Sequence, residues 1–457
     1  MTNHPTTESH APVPSPTGDA GSLGHTIAYD RFLDCVHCGL CTSACPTYLE
    51  TGNENDSPRG RIYLMRAVTD GRLAMTEKVE RHLDLCLDCR SCETACPSGV
   101  QYGRLIEPFR VELQQTKAAA GESKSSWLQR LILYRLFPYP GRLKLALGFA
   151  RLTQRLGLDR LAERMGLVKL LPQFPRRMHR LLPRLEKRPP RLPEVLPAKG
   201  KRRARVALFT GCVSEAMFGE TNAATARVLQ ENGCEVVIPR NQKCCGAIHY
   251  HSGEADPALR FAADNATAFP QDVDAVIVNV AGCGSMLKDY GHVAEELDCD
   301  RIMQDKLNAF AGRVQDVSEF LAELGPIGPQ GEIPLRATYH DACHLAHAQK
   351  VTAPPRQLLS LIPGLQLVPL PESAICCGAA GSYNLTEPEM ADQLGNRKMQ
   401  NILKTQADVV IMGNVGCALQ IQAQLREAGQ PISVMHPMDI LDLSYRGLQP
   451  KNHSQPN

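Results

Sequence analysis

The sequence lacks long apolar runs and has almost no net charge. No segment reaches the roughly 18 consecutive apolar residues that a membrane-spanning helix needs. Its 50 Lys and Arg residues nearly cancel its 48 Asp and Glu residues, which leaves a formal charge of +2. A chain with this balance has no overall attraction for polyanions. We therefore predict a protein without transmembrane helices and without nucleic acid as a partner.

Signals for export and for two common kinds of active site are also missing. Residues 1–24 are rich in Pro, Ser, Thr and His without an apolar core, so they predict a disordered tail and no signal peptide. No glycine-rich dinucleotide-binding sequence follows a predicted strand, and no Ser-His-Asp order is evident. The chain therefore offers no obvious place of its own to oxidise a substrate.

Cysteine, by contrast, is abundant, with 18 residues. Without an export signal, this number indicates metal chemistry in a reducing compartment, and we expect a cytoplasmic protein. Two runs, which begin at Cys35 and at Cys86, have the spacing C-x2-C-x2-C-x3-C-P. This spacing is typical of ferredoxins with two [4Fe-4S] clusters, in which the fourth cysteine of each run binds the other cluster. The predicted ligands are Cys35, Cys38, Cys41 and Cys96 for cluster one, and Cys86, Cys89, Cys92 and Cys45 for cluster two.

Zinc ribbons and disulfides are the alternative explanations of these two runs. A zinc site usually takes two C-x2-C pairs and has no use for a third and fourth cysteine at these offsets. Structural disulfides are disfavoured in a reducing compartment. The duplicated spacing therefore favours two [4Fe-4S] clusters.

The segment between the two runs predicts helices rather than strands. Ser57, which a proline follows, predicts a helix start, and a second helix is predicted just before Cys86. Residues 25–115 are therefore predicted to form an α-helical ferredoxin module. Arg59 and Arg61 either offset the charge of a cluster or are ordinary solvated arginines of the first helical turn.

Residues 116–204 are predicted to form a basic helical arm followed by a linker. Leucines recur there at helical intervals, among many arginines and few acidic residues. Three interpretations remain open: the arm packs on the rest of the protein, binds a partner, or lies on anionic lipid. The last would place the protein peripherally on the inner face of the cytoplasmic membrane. Residues 183–205, which are basic and rich in proline, are predicted to be the linker.

From Arg205 onward the chain repeats its own pattern. Three marker cysteines of the first half recur in the second half after 131, 132 and 134 residues, which indicates an internal duplication. Strands alternate with helices, so two α/β units with parallel sheets are predicted, at 205–330 and 331–447, before a short tail at 448–457. The predicted fold class is thus mixed α and α/β: an α-helical two-cluster ferredoxin module, a helical linker arm and two duplicated α/β cysteine-rich units.

Each repeat contains four cysteines, of which the middle two are adjacent. Adjacent cysteines are poorly placed for a structural disulfide, so we interpret them as thiolates that face one metal or redox centre at the carboxyl ends of the strands. Alternatively, they are small buried hydrophobic residues. Nearby histidines are ligands, hydrogen-bond donors to the ligands, or ordinary surface or core residues: His249, His251, His340, His344 and His347. The candidate site residues are Cys212, Cys244, Cys245 and Cys283 in the first repeat, and Cys343, Cys376, Cys377 and Cys417 in the second.

Several local sequences, in this order of modules, resemble a known family. They are Cys35-Val-His-Cys38-Gly, Pro58-Arg-Gly-Arg-Ile-Tyr63, Cys96-Pro-Ser-Gly-Val100, Cys244-Cys-Gly-Ala247 and His347-Ala-Gln-Lys350. From about residue 25 to residue 445 the chain resembles the glycolate oxidase iron-sulfur subunits. The wider group includes lactate-utilisation iron-sulfur proteins, the anaerobic glycerol-3-phosphate dehydrogenase small subunit and heterodisulfide reductase subunits.

The resemblance implies an electron-transfer subunit of a glycolate dehydrogenase complex, an oxidoreductase. FAD would be bound by partner glycolate oxidase subunits, which would oxidise glycolate. This chain would pass the electrons through two [4Fe-4S] clusters toward a quinone-linked acceptor. The alternatives are a lactate-oxidising complex, thiol or disulfide chemistry at the paired cysteines as in heterodisulfide reductases, and a non-enzymatic scaffold.

One departure from the heterodisulfide reductase pattern concerns the end of each repeat. That pattern ends with C-x2-C, whereas this chain has Met286 and Gln420 at the last position. The cluster of that enzyme is therefore not simply transferable to this chain. Whether the repeats bind a cluster, another metal or nothing is left open by the sequence.

Overall fold

The computed structural model describes residues 23–122, 126–185 and 191–450. The predicted N-terminal tail therefore lies outside the described residues, except for its last two positions. Residues 451–457 of the predicted C-terminal tail lie outside them as well. Within the described part of the chain, none of the helices has the length and apolar character needed to cross a bilayer.

The N-terminal module is helical, as its sequence predicts. Its helices are α1 Asp30–Leu33, α2 Pro46–Thr51, α3 Pro58–Thr69, α4 Glu77–Asp84, α5 Ser91–Ala95 and α6 Gly103–Ala119, with a 3-10 turn at Glu54–Asp56. The Ser57 hydroxyl accepts a hydrogen bond from the Gly60 N–H at 3.0 Å, which confirms the predicted start of α3. One apolar cluster joins Phe32, Met65 and Phe109, and this core fixes the loops that bear the cysteines.

The arm is a series of short helices with one buried side. They are α7 Trp127–Arg130, a π-helical turn at Leu131–Leu136, α8 Pro140–Arg155, α9 Leu158–Arg164, a 3-10 turn at Leu167–Leu170 and α10 Gln173–Leu181. Leu133 and Phe174 pack against Leu385 and Ala423 of the second repeat. Leu143 packs against the first repeat. One side of the arm thus packs on the rest of the protein, which is the first of the three interpretations.

The first repeat is built around a mainly parallel sheet. Its strands are β1 Val195–Leu196, β2 Ala204–Phe209, β3 Cys234–Val237, β4 Ala275–Val278 and β5 Val314–Asp316, in the spatial order β1-β3-β2-β4-β5. Only β1 pairs in the antiparallel direction, and it belongs to the segment predicted to be linker. The helices are α11 Val213–Met217, α12 Gly219–Glu231, α13 Ala247–Tyr250, α14 Ala255–Ala268, α15 Ala281–Lys288, α16 Tyr290–Glu296, α17 Arg301–Ala311 and α18 Val317–Leu324.

The second repeat forms a fully parallel sheet. Its strands are β6 Arg336–Tyr339, β7 Gln366–Val368, β8 Val409–Ile411 and β9 Ser433–Met435, in the order β7-β6-β8-β9. The helices are α19 Ala353–Leu359, α20 Tyr383–Thr386, α21 Pro388–Lys404, α22 Val415–Glu427 and α23 Pro437–Tyr445, with a π-helical turn at His344–Ala348.

The two sheets share one topology and one register. Val206 pairs with Ala275 in the first sheet, and Ala337 pairs with Val409 in the second, which are equivalent positions of the duplication. The order β3-β2-β4-β5 matches β7-β6-β8-β9. The prediction of a mixed α and α/β protein with parallel sheets is therefore confirmed, while the last strand of each sheet was not predicted.

Candidate metal centres

The cysteines predicted for cluster two lie around one small cavity beside α3. Cys45 comes from the first run, and the other three come from the second: Cys86, Cys89 and Cys92. Burial raises the pKa of Cys89 and Cys92 well above the usual value for a thiol. Thiolates in such a place need nearby positive charge, which bound iron would supply, so the residues fit an iron–sulfur cluster.

The cysteines predicted for cluster one lie nearer the surface. Cys38 is exposed, whereas Cys35, Cys41 and Cys96 are half-buried. Partial burial raises the pKa of Cys35, and the neighbouring Cys96 and Cys38 sulfurs raise it further. The sulfur from the second run thus lies beside those of the first. An exposed edge of this kind suits electron exchange with a partner.

The two arginines whose role the sequence left open have different surroundings. Arg61 is 1% exposed and donates hydrogen bonds to the His82 carbonyl at 2.7 Å and to Thr47 Oγ1 at 3.0 Å. Its Nη1 lies 3.9 Å from Cys45 Sγ. Arg59 is partly exposed and forms an ion pair with Glu54 at 2.6 Å. Of these two arginines, Arg61 is therefore the buried cation beside the cluster-two cysteines.

The four paired-cysteine sulfurs of the first repeat, here called the first quartet, meet at the carboxyl ends of the strands. Cys212 Sγ lies 3.4 Å from Cys244 Sγ, and Cys245 Sγ lies 3.4 Å from Cys283 Sγ. Gly246, with φ of +90°, turns the chain directly after the adjacent cysteines, a conformation that favours glycine. All four sulfurs can therefore face a single centre.

The corresponding sulfurs of the second repeat form the second quartet. Hydrogen bonds from the Cys376 and Cys417 thiols hold the pKa of Cys377 well below its usual value. Hydrogen bonds to Cys343 and Cys377 raise the pKa of Cys376. Hydrogen bonds also hold the pKa of Cys343 well below its usual value, so this close set of thiols favours the thiolate form at Cys343 and Cys377, which suits a thiophilic metal.

The residues that replace the last cysteine of each repeat are satisfied elsewhere. The Gln420 amide donates to the Ala391 carbonyl at 2.8 Å and accepts from Asn384 at 3.1 Å. Met286 is buried in the apolar core of the first repeat. The Gln420 amide is therefore engaged in hydrogen bonds, whereas Met286 packs within the apolar cluster that contains Cys212, Cys244 and Cys245.

The histidines beside the quartets separate into different roles. A ring nitrogen of His340 lies within 4.8 Å of the sulfurs of Cys377 and Cys417. His344 Nδ1 lies 3.6 Å from Cys343 Sγ. The remaining histidines contact other groups: His347 contacts Thr94 and the Ala374 carbonyl, His249 packs on aromatic rings, and His251 binds carboxylates.

A buried ionic cluster connects the ferredoxin module to the first repeat, and no sequence pattern indicated it. Arg90 contacts Asp88 at 2.9 Å and Glu107 at 2.8 Å, and His251 Nδ1 lies 3.2 and 2.9 Å from the same two carboxylates. Burial lowers the pKa of His251, but the two carboxylates raise it to about 10. These ion pairs join the segment between Cys86 and Cys92 to His251 of the first repeat.

A cavity of about 350 Å³ lies between the two quartets, under the arm. Sulfurs of both quartets line it, together with His251 and His344, whose ring centroids are 5.6 Å apart. The arm contributes apolar side chains such as Phe137 and Leu147. The arm therefore covers a sulfur-lined chamber.

The predicted cluster-two site is adjacent to the second quartet. Cys89 shares one buried apolar cluster with Cys343 and Cys376. The Tyr383 hydroxyl donates a hydrogen bond across the same boundary to the Leu85 carbonyl at 3.0 Å. The ferredoxin module and the second repeat are thus in direct contact through sulfur-bearing residues.

Three family models match the chain in the order of its modules. The 4Fe-4S dicluster domain matches residues 31–100, the linker region of the glycolate oxidase iron-sulfur subunit matches 124–182, and the cysteine-rich domain matches 206–288 and 337–422. With the fold and the grouped cysteines, these matches define the class: iron–sulfur proteins with a dicluster domain followed by two cysteine-rich domains.

Curated relatives extend this result to nearly the whole chain. The probable glycolate oxidase iron-sulfur subunit of Bacillus subtilis (strain 168) is 39% identical over 90% of this chain and 93% of its own length. The glycolate oxidase iron-sulfur subunit of Escherichia coli (strain K12) is 34% identical over 89% and 93%. Lactate utilization protein A of Exiguobacterium sp. (strain ATCC BAA-1283 / AT1b) is 31% identical over 52% of this chain and 96% of its own length. The chain belongs to the family of glycolate oxidase iron-sulfur subunits.

Proposed function

We propose that this protein is the electron-transfer subunit of a flavin-dependent glycolate dehydrogenase. FAD-binding partner subunits would oxidise glycolate, and this chain would accept the electrons and pass them toward a quinone-linked acceptor. Support comes from the family and from the dicluster domain. The contact between the predicted cluster-two site and the second quartet also supports a path for electrons through the chain.

The proposed path begins at cluster one, held by Cys35, Cys38, Cys41 and Cys96, and continues to cluster two, held by Cys86, Cys89, Cys92 and Cys45. The exposure of Cys38 favours cluster one as the entry point. The packing of Cys89 with Cys343 and Cys376 supports the proposal most, because it continues the path into the second quartet without an intervening gap.

The test uses the complex of this chain with its flavoprotein, reconstituted anaerobically. Cys89→Ser should abolish glycolate-dependent reduction of a quinone analogue, because it interrupts the path at cluster two. Cys234→Ser is the matched control, since Cys234 is a buried core cysteine outside all four sulfur sets. Full acceptor reduction by the flavoprotein alone, unchanged when this chain is added, would contradict the proposal.

The substrate of the partner subunits is a separate point. The lactate utilization relatives leave lactate as the alternative to glycolate. A panel of 2-hydroxy acids on the purified complex distinguishes them: a higher kcat/KM for glycolate than for lactate is expected. The reverse order would reassign the complex to lactate.

Thiol or disulfide chemistry at the quartets is a second candidate function. Sulfur pairs 3.4 Å apart beside a cavity favour it. If Cys245→Ser and Cys377→Ser leave turnover unchanged, the quartets have no such role.

We also propose that the protein is cytoplasmic and attaches to the inner face of the membrane through the arm. Leu145, Phe149, Leu152 and Leu156 are 54–72% exposed, and their spacing places them on one face of α8. Residues 127–171 contain nine Lys or Arg and only two acidic residues. An apolar face flanked by basic residues is typical of segments that lie on anionic lipid.

Flotation with vesicles tests this attachment. The protein should float with vesicles that contain phosphatidylglycerol and not with pure phosphatidylcholine, and Leu145→Asn with Phe149→Asn should abolish flotation. Ile302→Asn is the control, because Ile302 is an exposed apolar residue on α17, outside the arm. Flotation that ignores the anionic lipid content would rule out the proposed contact.

A further inference from the structure

His340 is a buried histidine with one nitrogen engaged and the other free. It is fully buried, and its Nδ1 lies 3.0 Å from the Ser373 carbonyl. A carbonyl only accepts, so Nδ1 bears the hydrogen and a neutral ring has its lone pair on Nε2. Nε2 has no hydrogen-bond partner among the described residues. Histidines that bind metals typically have this arrangement, in which a backbone carbonyl fixes the ring.

The free nitrogen belongs to a group of potential ligands. A ring nitrogen of His340 and the sulfurs of Cys377 and Cys417 all lie within 4.8 Å of one another. Each of these residues is buried, so water does not compete for the space between them. Thiolate and imidazole together are the donor set that zinc and iron take in proteins.

The first repeat has no equivalent nitrogen. Val206 and Ala337 hold the same register in the two sheets, and three residues after them stand Phe209 and His340. The Phe209 ring packs on Phe269, with centroids 6.2 Å apart, within the cluster that contains Cys212, Cys244 and Cys245. At the position equivalent to His340, the first repeat therefore offers no nitrogen to its quartet.

A second difference between the repeats lies behind the adjacent cysteines. Lys398 is 2% exposed, and its Nζ contacts the same Ser373 carbonyl as His340, at 3.2 Å. The turn glycines of the two repeats pack on Ala258 and Ala391, and seven residues after these stand Asn265 and Lys398. Asn265 is a neutral amide that donates to the Cys244 carbonyl at 3.0 Å. Lys398 thus lies beside the adjacent cysteines of the second quartet, at the position where the first repeat has a neutral amide.

We propose that the second quartet is a mixed nitrogen–sulfur metal site, in which Nε2 of His340 binds iron or zinc together with Cys377 and Cys417. His340 supplies the donor that Gln420 does not. This inference shares one assumption with the proposed function, namely that the second quartet holds a metal. A histidine in place of a cysteine raises the reduction potential of an iron–sulfur centre, so an iron centre here would draw electrons away from cluster two.

The test compares metal content and nitrogen contact in the full-length protein, purified anaerobically. The iron and zinc content per chain is measured by mass spectrometry. If the additional metal is iron, the ligand nitrogen is detected by pulsed electron paramagnetic resonance on protein labelled with 15N-histidine. If it is zinc, the nitrogen is detected by zinc-edge X-ray absorption. Wild type should contain metal beyond the iron of two [4Fe-4S] clusters, with a histidine nitrogen bound to it.

Three variants separate binding from folding. His340→Phe, which introduces the residue of the first repeat, should lose the nitrogen signal and the metal of the second quartet. His340→Cys should recover the metal without the nitrogen signal. His249→Phe, at a buried histidine that stacks on Phe261, should change neither.

Two outcomes would overturn the inference. One is a wild-type protein whose metal is accounted for by the two ferredoxin clusters alone. The other is His340→Phe protein that retains the additional metal with its nitrogen signal. The ferredoxin signals of the same samples distinguish the two proposals, because their loss would count against the electron path, whereas their presence without additional metal counts only against the His340 site.

Discussion

Replacement of Arg61 by methionine should lower the reduction potential of the proposed cluster two. The guanidinium is fully buried, so no water replaces its charge directly, and its Nη1 lies 3.9 Å from Cys45 Sγ. Burial alone would lower the pKa of Arg61, but the neighbouring groups, chiefly Cys86, Tyr102 and Cys45, raise it above its usual value, so the side chain stays charged.

The magnitude follows from the distance. A unit charge 3.9 Å from a sulfur corresponds to about 4 kcal/mol at an effective dielectric constant of about 20. An added electron is shared over the whole cluster, so its mean distance is larger and about half of that energy remains. About 2 kcal/mol corresponds to a downward shift of about 80 mV for a one-electron couple.

The assay is a redox titration of the anaerobic protein followed by electron paramagnetic resonance. Arg59→Met is the control, because Arg59 is 31% exposed and its charge is already offset by Glu54. Cluster two should shift in Arg61→Met and stay nearly unchanged in Arg59→Met. An upward shift, or an equal shift in both variants, would refute the electrostatic reasoning.

Three further predictions concern stability. Gly378→Ala should lower the melting temperature of the protein more than Gly246→Ala. Both glycines have a left-handed φ, but the new Cβ would lie 2.6 Å from a backbone oxygen at Gly378 and 3.2 Å from the nearest atom at Gly246. Equal losses of melting temperature would contradict this. Burial lowers the pKa of His436 from 6.5 to about 4, so the neutral ring contributes fully to the free energy of unfolding above pH 6.5. This contribution, about 3 kcal/mol, is lost as the pH falls through 4. In His436→Gln the loss should be absent from thermal melts recorded across that pH range. Ser57→Ala should cost about 1 kcal/mol in urea unfolding, because a helix cap is lost; an unchanged midpoint would show that the cap is not needed.

The predictions that succeeded rest on local or repeated patterns. Ser57 and the proline after it mark a helix start without reference to the rest of the chain. The duplication predicted two parallel sheets because three marker cysteines of the first repeat recur in the second after 131, 132 and 134 residues, with strands that alternate with helices in both. The short strands β5 and β9, of three residues each, are too brief to produce a recognisable alternation.

What the sequence did not indicate depends on residues that are distant in the chain. Arg90 and His251 are brought to the same carboxylates from separate modules, and neither has a motif around it. The leucines of the arm predicted a buried face, but their spacing does not show which part of the protein that face packs against. Lys398 looks like an ordinary helix residue until its neighbours in space are known.

The position of Cys45 among Cys86, Cys89 and Cys92 has a consequence for how the protein is made. With that grouping, neither run of cysteines alone offers four sulfurs to a cubane. An incomplete nascent chain that ends before the second run therefore lacks a complete set of cluster ligands. Cluster insertion must wait until about a hundred residues have emerged and folded.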